Sequence, residues 1–452
     1  MILRCFRLAV QLASVFHLSF FLSVISLCWA TDDKLVIISP HWEGIEEEFT
    51  RGFKTWYQSR TGRQVELEWL DQGGTSSDMR FIEAEFRRLP DSINIDLLFG
   101  GGIDAFIKLA EKGLLESYEL PEEQLKQIPK DMYGIPVFDS QHRWYGAALS
   151  SFGIMHNEVL RSRLKLPIVN QWKDLTNPKL IGRVGGADPR ESGSAHMIYE
   201  IILQGYGWEE GFSILTQLGA NVRGFSAGSN AIPKDVVAGQ VIYGMAIDFY
   251  AYGAIAQQDD PNKIQYALPP DATVISPDSI AILKGAPNRE VAEKFVTYVL
   301  SKEAQKLWLL RDSDPEGPKR KGGLNRASVL PGLYDELGDR SVVDNPFKSD
   351  LSPIQYDPVK GGSRAKVLND LMGTLLIDRH KELVKTWRTI HKSKNPVKRE
   401  KAIAILRELP LTETEAMSLE DQFSDPVLRN RKLKEWSEFA GDKYKRARSA
   451  LK

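Results

Sequence analysis

Residues 95–102 read Ile-Asp-Leu-Leu-Phe-Gly-Gly-Gly, an apolar run of strand length that ends in three consecutive glycines. Periodic apolar residues follow at once and predict a helix over 103–112. Upstream, the same alternation predicts a strand at 34–39, a helix at 44–61, a strand at 64–69 and a helix at 79–89. Strands that alternate with helices predict an α/β lobe, in which a parallel sheet is covered by helices on both faces.

The loops after the three predicted strands carry the first candidate binding residues. Loops at the carboxyl ends of parallel strands line the edge where such sheets bind ligands. His41 follows the first strand, Gly74, Thr75 and Ser76 follow the second, and Gly101 follows the third. Glycines and hydroxyl residues also make ordinary turns and helix caps. Their coincidence at one edge of the sheet is what favours binding.

A second α/β pattern spans 182–247, between two extended segments at 145–155 and 273–283. It contains strands at 182–184, 221–225 and 241–247, and helices at 193–205, 209–218 and 232–238. Two amphipathic helices, at 289–300 and 302–310, come after the second extended segment. The sequence therefore predicts two α/β lobes joined by two extended crossings, with Ser151 near the hinge.

The predicted second lobe offers candidate anion-binding residues. Ser192, Gly193 and Ser194 open a helix, where free backbone N–H groups and the positive end of the helix dipole suit an anion. Ser229 precedes another helix in the same way. The alternative is that the serines only cap their helices.

Five stretches together resemble the bacterial extracellular solute-binding proteins of ABC importers, in the two-lobed class that includes ferric-iron binders and binders of small phosphorylated solutes. The resemblance covers about residues 35–333. It rests on residues 95–102, 144–147 (Trp-Tyr-Gly-Ala), 188–195 (Asp-Pro-Arg-Glu-Ser-Gly-Ser-Ala), 229–239 (Ser-Asn-Ala-Ile-Pro-Lys-Asp-Val-Val-Ala-Gly) and 246–250 (Ala-Ile-Asp-Phe-Tyr).

The resemblance implies a type II periplasmic-binding fold that closes on a ligand in the cleft between its lobes. The first lobe is then discontinuous, 31–148 and 274–345, and the second is 149–273. The implied protein is a monomer, not an enzyme, needs no cofactor, and delivers a small anionic solute to an inner-membrane ABC permease. The same closed surface would also serve a ligand sensor that signals to a membrane receptor.

The last of these stretches, residues 246–250, indicates whether the chain could bind ferric iron. The ferric binders of the family carry two neighbouring tyrosines at this place, whereas this chain has Phe249 followed by Tyr250. Asp248, Tyr250 and His41 would be the reduced ligand set if Fe(III) were bound. Because phenylalanine cannot ligate a metal, the sequence favours an organic anion, such as a sugar phosphate or a phosphonate. In that case Asp248, Tyr250 and His41 are expected to contact the solute instead.

A serine hydrolase is the remaining alternative. Residues 224–228, Gly-Phe-Ser-Ala-Gly, match the nucleophile-elbow pattern around Ser226, and Asp248 and His380 follow in the required order. The residues after the elbow point to a longer turn than that motif allows. The sequence holds no HExxH zinc motif, P-loop or dinucleotide fingerprint.

The first 30 residues predict a signal peptide and therefore export to the periplasm. Arg4 and Arg7 flank an apolar run at 8–24, and Ala30 ends a cleavage pattern. Lipid tethering through Cys28 and an uncleaved membrane anchor are the alternatives. Cleavage after Ala30 would leave a chain without cysteine, since the two cysteines are Cys5 and Cys28.

The carboxyl-terminal part has its own charge. Residues 365–452 hold 20 basic and 13 acidic side chains, a net charge of +7, whereas residues 31–364 carry −10. Periodic apolar residues predict a helical extension, after a polar and solvated connection that includes a linker at 346–364. We expect the extension to dock on the α/β body. A chain of 452 residues with an overall charge of −1 offers no basic field for nucleic acid.

Overall fold

The structure is a computed structural model that describes residues 33–348 and 354–452. The predicted signal peptide, with both cysteines, lies outside the described residues, as does part of the predicted linker. Within the described part of the chain, no helix is long and apolar enough to cross a membrane.

The first lobe is built on parallel strands, as the sequence predicts. β1 pairs in parallel with β2 and β3, so that Leu35 lies opposite Leu67 and Ile37 opposite Leu97. The elements, in chain order, are β1 (Asp33–Ile38), α1 (Glu43–Thr61), β2 (Val65–Leu70), α2 (Thr75–Arg88), β3 (Leu97–Gly102), α3 (Ile103–Glu111), β4 (Leu115–Glu116), α4 (Glu122–Leu125), β5 (Asp131–Met132) and β6 (Ile135–Pro136).

Two long strands connect the lobes, and both are buried along their whole length. They are β7 (Tyr145–Asn157) and, further along the chain, β12 (Ile275–Leu283), and they pair antiparallel with each other. The main sheet therefore runs through both lobes in the order β2, β1, β3, β12, β7, followed by three strands of the second lobe, β10 (Tyr243–Ile247), β8 (Val184–Ala187) and β9 (Val222–Ser226). These paired strands are the two extended crossings.

The second lobe lies between β7 and β12 in the chain. Its elements are α5 (Glu158–Arg163), β8 (Val184–Ala187), α6 (Gly193–Tyr206), α7 (Trp208–Asn221), β9 (Val222–Ser226), α8 (Ala231–Val237), β10 (Tyr243–Ile247), α9 (Asp248–Ala256) and β11 (Ile264–Ala267). After β12 the chain adds α10 (Arg289–Val299), α11 (Lys302–Leu309) and α12 (Pro331–Leu337), which pack in the core of the first lobe. The mixed α/β fold class is confirmed.

Residues 365–452, which we call the extension, are helical and pack on both lobes. A short helix, α13 (Pro358–Gly362), leads to α14 (Ala365–Met372), a π-helical turn (Gly373–Ile377), α15 (His380–Lys392), α16 (Pro396–Leu406), α17 (Glu413–Glu420) and α18 (Pro426–Ser449). Lys366 pairs with Glu83 of the first lobe at 2.9 Å, and Asp378 pairs with Arg190 of the second at 2.9 Å. Apolar residues of the extension share one core with both lobes.

The segment between the lobes and the extension differs from the solvated connection predicted for it. Arg326 and the residues 327–330 that follow it are buried. Tyr356 and Arg364 are buried as well, and the guanidinium of Arg364 forms a fully buried ion pair with Glu200. The polar composition misled the prediction because these polar side chains are satisfied internally rather than by water.

Two element boundaries also differ near the cleft. α2 begins at Thr75 instead of 79, so Thr75 and Ser76 lie in its first turn rather than in a loop. The Asp78 carboxylate does not cap this helix but accepts from the backbone N–H of Gln72 at 3.1 Å. β3 continues through the glycines to Gly102, which directly precedes α3.

Candidate functional site

Helix starts from both lobes face one cavity, of about 210 Å³, between the lobes. Residues at the beginnings of α2, α3, α6, α8 and α9 all line it. The first backbone N–H groups of a helix have no intrahelical acceptor, and the helix dipole makes this end positive. The helix starts therefore contribute neutral hydrogen-bond donors and partial positive charge to the lining, which also includes the carboxylates of Asp71, Glu191 and Asp278.

Nine of the twelve candidate residues predicted from sequence line this cavity. From the first lobe they are His41, Gly74, Thr75 and Gly101, and from the second lobe they are Ser192, Gly193, Ser194, Ser229 and Tyr250. The other three, Ser76, Ser151 and Asp248, do not line it.

The start of α6 combines a helix cap with a link to α8. Ser192 Oγ accepts from the backbone N–H of Ala195 at 3.3 Å, which makes Ser192 the N-cap. The same oxygen lies 2.5 Å from the hydroxyl of Ser229. Ser194, two residues further on, lines the cavity, and its side chain makes no hydrogen bond to any of the described residues. Ser192 thus both caps α6 and lines the cavity, whereas the hydroxyl of Ser194 is free to bind a ligand.

The two lobes touch each other beside the cavity, so the structure is closed. Gly74 adopts φ of 127°, and a Cβ atom there would lie 2.8 Å from the carbonyl oxygen of Glu191. The Glu191 carboxylate accepts from Ser77 Oγ and from the Arg80 guanidinium, each at 3.0 Å. Ser76 belongs to this contact, where its hydroxyl donates to the carbonyl oxygen of Pro189 at 3.3 Å. It holds the lobes together instead of facing the cavity.

A buried charge network forms the floor of the cavity. Nε2 of His41 lies 3.0 Å from Asp278 Oδ2 and 3.0 Å from the Arg326 guanidinium. Arg326 also pairs with Asp278 directly and donates to Ser150 Oγ at 2.7 Å. Its guanidinium lies 4.2 Å from the centre of the Phe249 ring. The network ties the first lobe, both crossing strands and the second lobe together.

Burial and the neighbouring charges set the protonation of this network. Burial alone would raise the pKa of Asp278, but Arg326, His41 and the Gly101 N–H hold that pKa well below its usual range. Burial lowers the pKa of His41, and the nearby Asp278 only partly opposes it. At neutral pH the floor therefore holds an Arg326–Asp278 ion pair and a neutral histidine.

Asp248 and Ser151 are hydrogen-bonded to each other outside the lining of the cavity. Asp248 Oδ2 accepts from the Ser151 backbone N–H at 2.7 Å and from its hydroxyl at 2.9 Å, while Oδ1 accepts from the Phe249 N–H at 2.7 Å. Burial raises the pKa of Asp248 to about 6, although Arg326 opposes the shift. Asp248 and Ser151 therefore lie outside the cavity lining with their polar atoms already engaged, and their contact with a ligand stays a prediction.

The reduced iron-ligand set is not assembled. His41 and Tyr250 line the cavity, but His41 Nε2 is held by Asp278 and Arg326, and Asp248 is held by Ser151 outside the lining. Burial raises the pKa of Tyr250 to about 12, which opposes the phenolate form that iron prefers. Over the described ranges, no three His, Cys, Asp or Glu side chains are grouped to hold a metal ion.

The hydrolase constellation is not assembled either. Ser226 Oγ donates to the carbonyl oxygen of Gly228 at 2.9 Å, and Asp248 is engaged by Ser151. His380 belongs to the extension, where its Nε2 lies 3.1 Å from the carbonyl oxygen of Gly219. Each of the three side chains makes its hydrogen bonds with a different partner.

Sequence reasoning missed the floor of the cavity. Asp278 and Arg326 are not neighbours in the chain, and neither lies in a recognisable motif. The one available signal was the single charged residue in the predicted extended segment 273–283, since a charge within such a segment usually has a buried partner. Ser150, Asn230 and Phe249 also line the cavity and were not predicted to do so.

Comparison with known proteins agrees with this architecture. A family described as bacterial extracellular solute-binding protein matches residues 92–315. The phosphoglycerate transport regulatory protein of Salmonella typhimurium is 24% identical over 357 residues, which are 76% of this chain and 80% of that protein.

Two solved structures share the fold. The periplasmic binding protein from Actinobacillus pleuropneumoniae, solved with fructose-6-phosphate, superposes with a TM-score of 0.61 at 22% identity and covers 79% of this chain and 98% of its own. The ferric binding protein from Campylobacter jejuni gives a TM-score of 0.56 at 16% identity, with 75% and 99% covered. At these identities the similarity establishes the type II periplasmic-binding fold alone.

Proposed function

Because the chain is related to the bacterial extracellular solute-binding proteins, we propose that it captures a small anionic organic solute in the cavity between its lobes. The observation that carries this proposal is the convergence of five helix starts on one cavity. The first N–H groups of α2, α3 and α6, together with the hydroxyls of Thr75, Ser194 and Ser229, form a donor-rich lining, whereas the first N–H groups of α8 and α9 already have acceptors. Such a lining stabilises the oxygens of a phosphate or carboxylate group.

We expect neutral hydrogen-bond donors to bind the charged group of the solute without a direct salt bridge. Among the described residues, no lysine or arginine lines the cavity, and the buried Arg326 is neutralised by Asp278. Fixed dipoles in a closed, water-poor site interact strongly with a charged ligand. The small volume favours a compact solute, and the phosphorylated compounds named for two similar proteins are of this kind.

We propose delivery to a membrane permease as the role of the closed state. A family of extracellular binding proteins implies a periplasmic location, and the proposed signal peptide would supply the export. The closed lobes present one continuous surface that includes α2 and the Pro189–Glu191 turn. Binding rather than catalysis is supported by the engaged states of Ser226, Asp248 and His380.

Calorimetry with matched pairs of solutes tests the proposal. The pairs are 3-phosphoglycerate with glycerate, and fructose-6-phosphate with fructose. We expect a phosphorylated member to bind with a dissociation constant of about 1 μM, and its partner lacking phosphate to bind at least about 100-fold more weakly. Equal affinity within a pair would show that the phosphate is not recognised.

The ferric alternative has its own readout. Aerobic protein mixed with ferric citrate should develop a visible phenolate-to-iron charge-transfer band if Tyr250 ligates iron, and Tyr250→Phe should abolish that band. We expect no band, because His41 and Asp248 are already engaged. A strong band would favour iron as the solute.

A further inference from the structure

A second and larger cavity, of about 640 Å³, lies where the two lobes meet the extension. α2 and α3 of the first lobe, α6 of the second lobe and helices α14 and α18 of the extension all contribute to its walls. It shares Thr75, Gly102, Gly193 and Met197 with the smaller cavity in the cleft. We call it the junction cavity.

Two buried acceptor atoms line the junction cavity without partners among the described residues. They are Oδ1 of Asp104 and Nε2 of His196, and each residue is 8% exposed. The other polar atoms of these side chains are engaged: Tyr356 donates to Asp104 Oδ2, and His196 Nδ1 lies 2.8 Å from Asn369 Oδ1. A buried polar atom without a partner destabilises the fold, so a ligand that donates to both atoms would gain from binding here.

The two side chains lie close to each other in the lining. His196 Nε2 lies 3.9 Å from Asp104 Oδ2, on the same carboxyl as the unpartnered oxygen. Because His196 Nδ1 faces the Asn369 oxygen, Nδ1 carries the proton and Nε2 presents a lone pair. Once Asp104 is ionised, both atoms are therefore acceptors, and the matching ligand group has at least two N–H donors.

The rest of the lining selects against an anion and in favour of an apolar body. Apolar atoms provide most of the exposed lining surface, and Met79, Met197 and Phe423 contribute its large apolar side chains, although most of the lining residues are polar or charged. Five of the six basic residues of the lining are paired with carboxylates: Arg80 with Glu191, Lys108 with Glu420, Arg190 with Asp188 and Asp378, Lys366 with Glu83, and Arg429 with Asp370. The sixth, Arg87, is solvent-exposed.

We propose that the junction cavity is a second small-molecule site for a primary amine with an apolar body, whose ammonium group donates to Asp104 Oδ1 and His196 Nε2. The apolar body lies against Met79, Met197 and Phe423. Because the walls come from both lobes and from the extension, the amine stabilises the closed and docked arrangement. This site is separate from the proposed solute site, and each can fail without the other.

Proton release is expected to accompany amine binding. Burial raises the pKa of Asp104 to about 8, and Glu200 and Asp357 add to that shift, whereas the Tyr356 hydroxyl and Arg364 oppose it. Burial lowers the pKa of the facing His196. At pH 7 Asp104 is therefore mostly protonated, and a bound ammonium group would ionise it. Amine affinity should then rise as the pH is raised from 6 to about 8.

Methionine-methyl NMR on the full chain, with phenethylamine as the probe, tests this proposal. Met79 lines only the junction cavity, Met197 lines both cavities, and Met132 and Met155 line neither. We expect saturable shifts of the Met79 and Met197 methyl signals and none at Met132 or Met155. No shift of Met79 up to about 10 mM amine would overturn the site, and so would a shift of Met197 alone, which would place the amine in the cleft.

The ammonium contact is tested by matched ligands and variants. 2-Phenylethanol has the same apolar body without the charge, and it should bind about 10- to 100-fold more weakly than the amine. Asp104→Asn should weaken amine binding by a similar factor and abolish the proton release seen by calorimetry in two buffers. Asp339→Asn, at an exposed position, is the matched control. Equal binding of the alcohol, or unchanged binding to Asp104→Asn, would overturn the proposed contact.

Discussion

Thr75 of the first lobe packs directly against Gly193 of the second. A Cβ atom added to Gly193 would lie 2.8 Å from the Cβ atom of Thr75, which is closer than two carbon atoms normally approach. Thr75 begins α2 and Gly193 begins α6, so two of the helix starts that line the cleft are in contact. Closure of the lobes thus depends on the absence of a side chain at residue 193.

Gly193→Ala is therefore expected to hinder closure. The extra methyl group should weaken solute binding by about 1–3 kcal/mol, the usual cost of overpacking, and should enlarge the radius of gyration seen by small-angle scattering. Gly253→Ala is the matched control, because nothing lies within 4 Å of a Cβ atom there. An unchanged affinity in Gly193→Ala would mean that the lobes do not have to meet at this point.

Ser194 and Ser192 are expected to differ in what they contribute. Ser194→Ala should weaken solute binding by about 1–3 kcal/mol without loss of stability, because its hydroxyl is free for a ligand. Ser192→Ala should also lower the free energy of unfolding by about 1 kcal/mol, because Ser192 caps α6. Calorimetry and urea denaturation measure the two effects. If neither variant changes solute affinity, the start of α6 is not part of the site.

Much of the fold follows from local patterns in the sequence, whereas the cavity floor does not. The alternation of strands and helices and the glycines at the end of β3 depend on neighbours in the chain, so they were visible in advance. The start of α2 was placed too late, because Ser77 and Asp78 look like caps while the backbone of Gly74 turns the chain earlier. Asp278 and Arg326 meet only through the tertiary fold, and no periodicity marks such a pair.

The Arg326–Asp278 pair gives a prediction about stability. Arg326→Met should lower the free energy of unfolding by about 3–5 kcal/mol, because it leaves a buried carboxylate without its main partner. Adding Asp278→Asn to Arg326→Met removes that charge, and the double variant should recover more than half of the loss. Urea denaturation of the two single variants and the double variant measures the coupling. Strictly additive losses would contradict a direct interaction.

Asp248 gives a prediction about pH. Its pKa of about 6 in the folded protein lies above the ordinary value of 3.8, so the folded state holds this proton more tightly than the unfolded chain. The contribution of Asp248 to stability is therefore full below about pH 4 and falls as the pH rises through about 6. Relative to Asp248→Asn, the wild type should lose about 2 kcal/mol of unfolding free energy between pH 4 and 7.

Urea denaturation of both proteins across this pH range measures that difference. Comparing the two proteins cancels the titration of other groups, such as Asp278, whose depressed pKa acts in the opposite direction. A difference that stays constant, or that favours the wild type as the pH rises, would show that Asp248 is ionised at little cost in its buried position.

Mass spectrometry of the solute released from natively purified protein tests the central claim most directly. The wild type and Gly193→Ala are isolated in parallel without refolding, denatured, and their released small molecules and metals are identified. We predict that the wild type releases a phosphorylated or carboxylated organic anion in stoichiometric amount, and that Gly193→Ala releases much less of it. Stoichiometric release of ferric iron or of a neutral solute from the wild type would contradict capture of an organic anion by the converging helix starts.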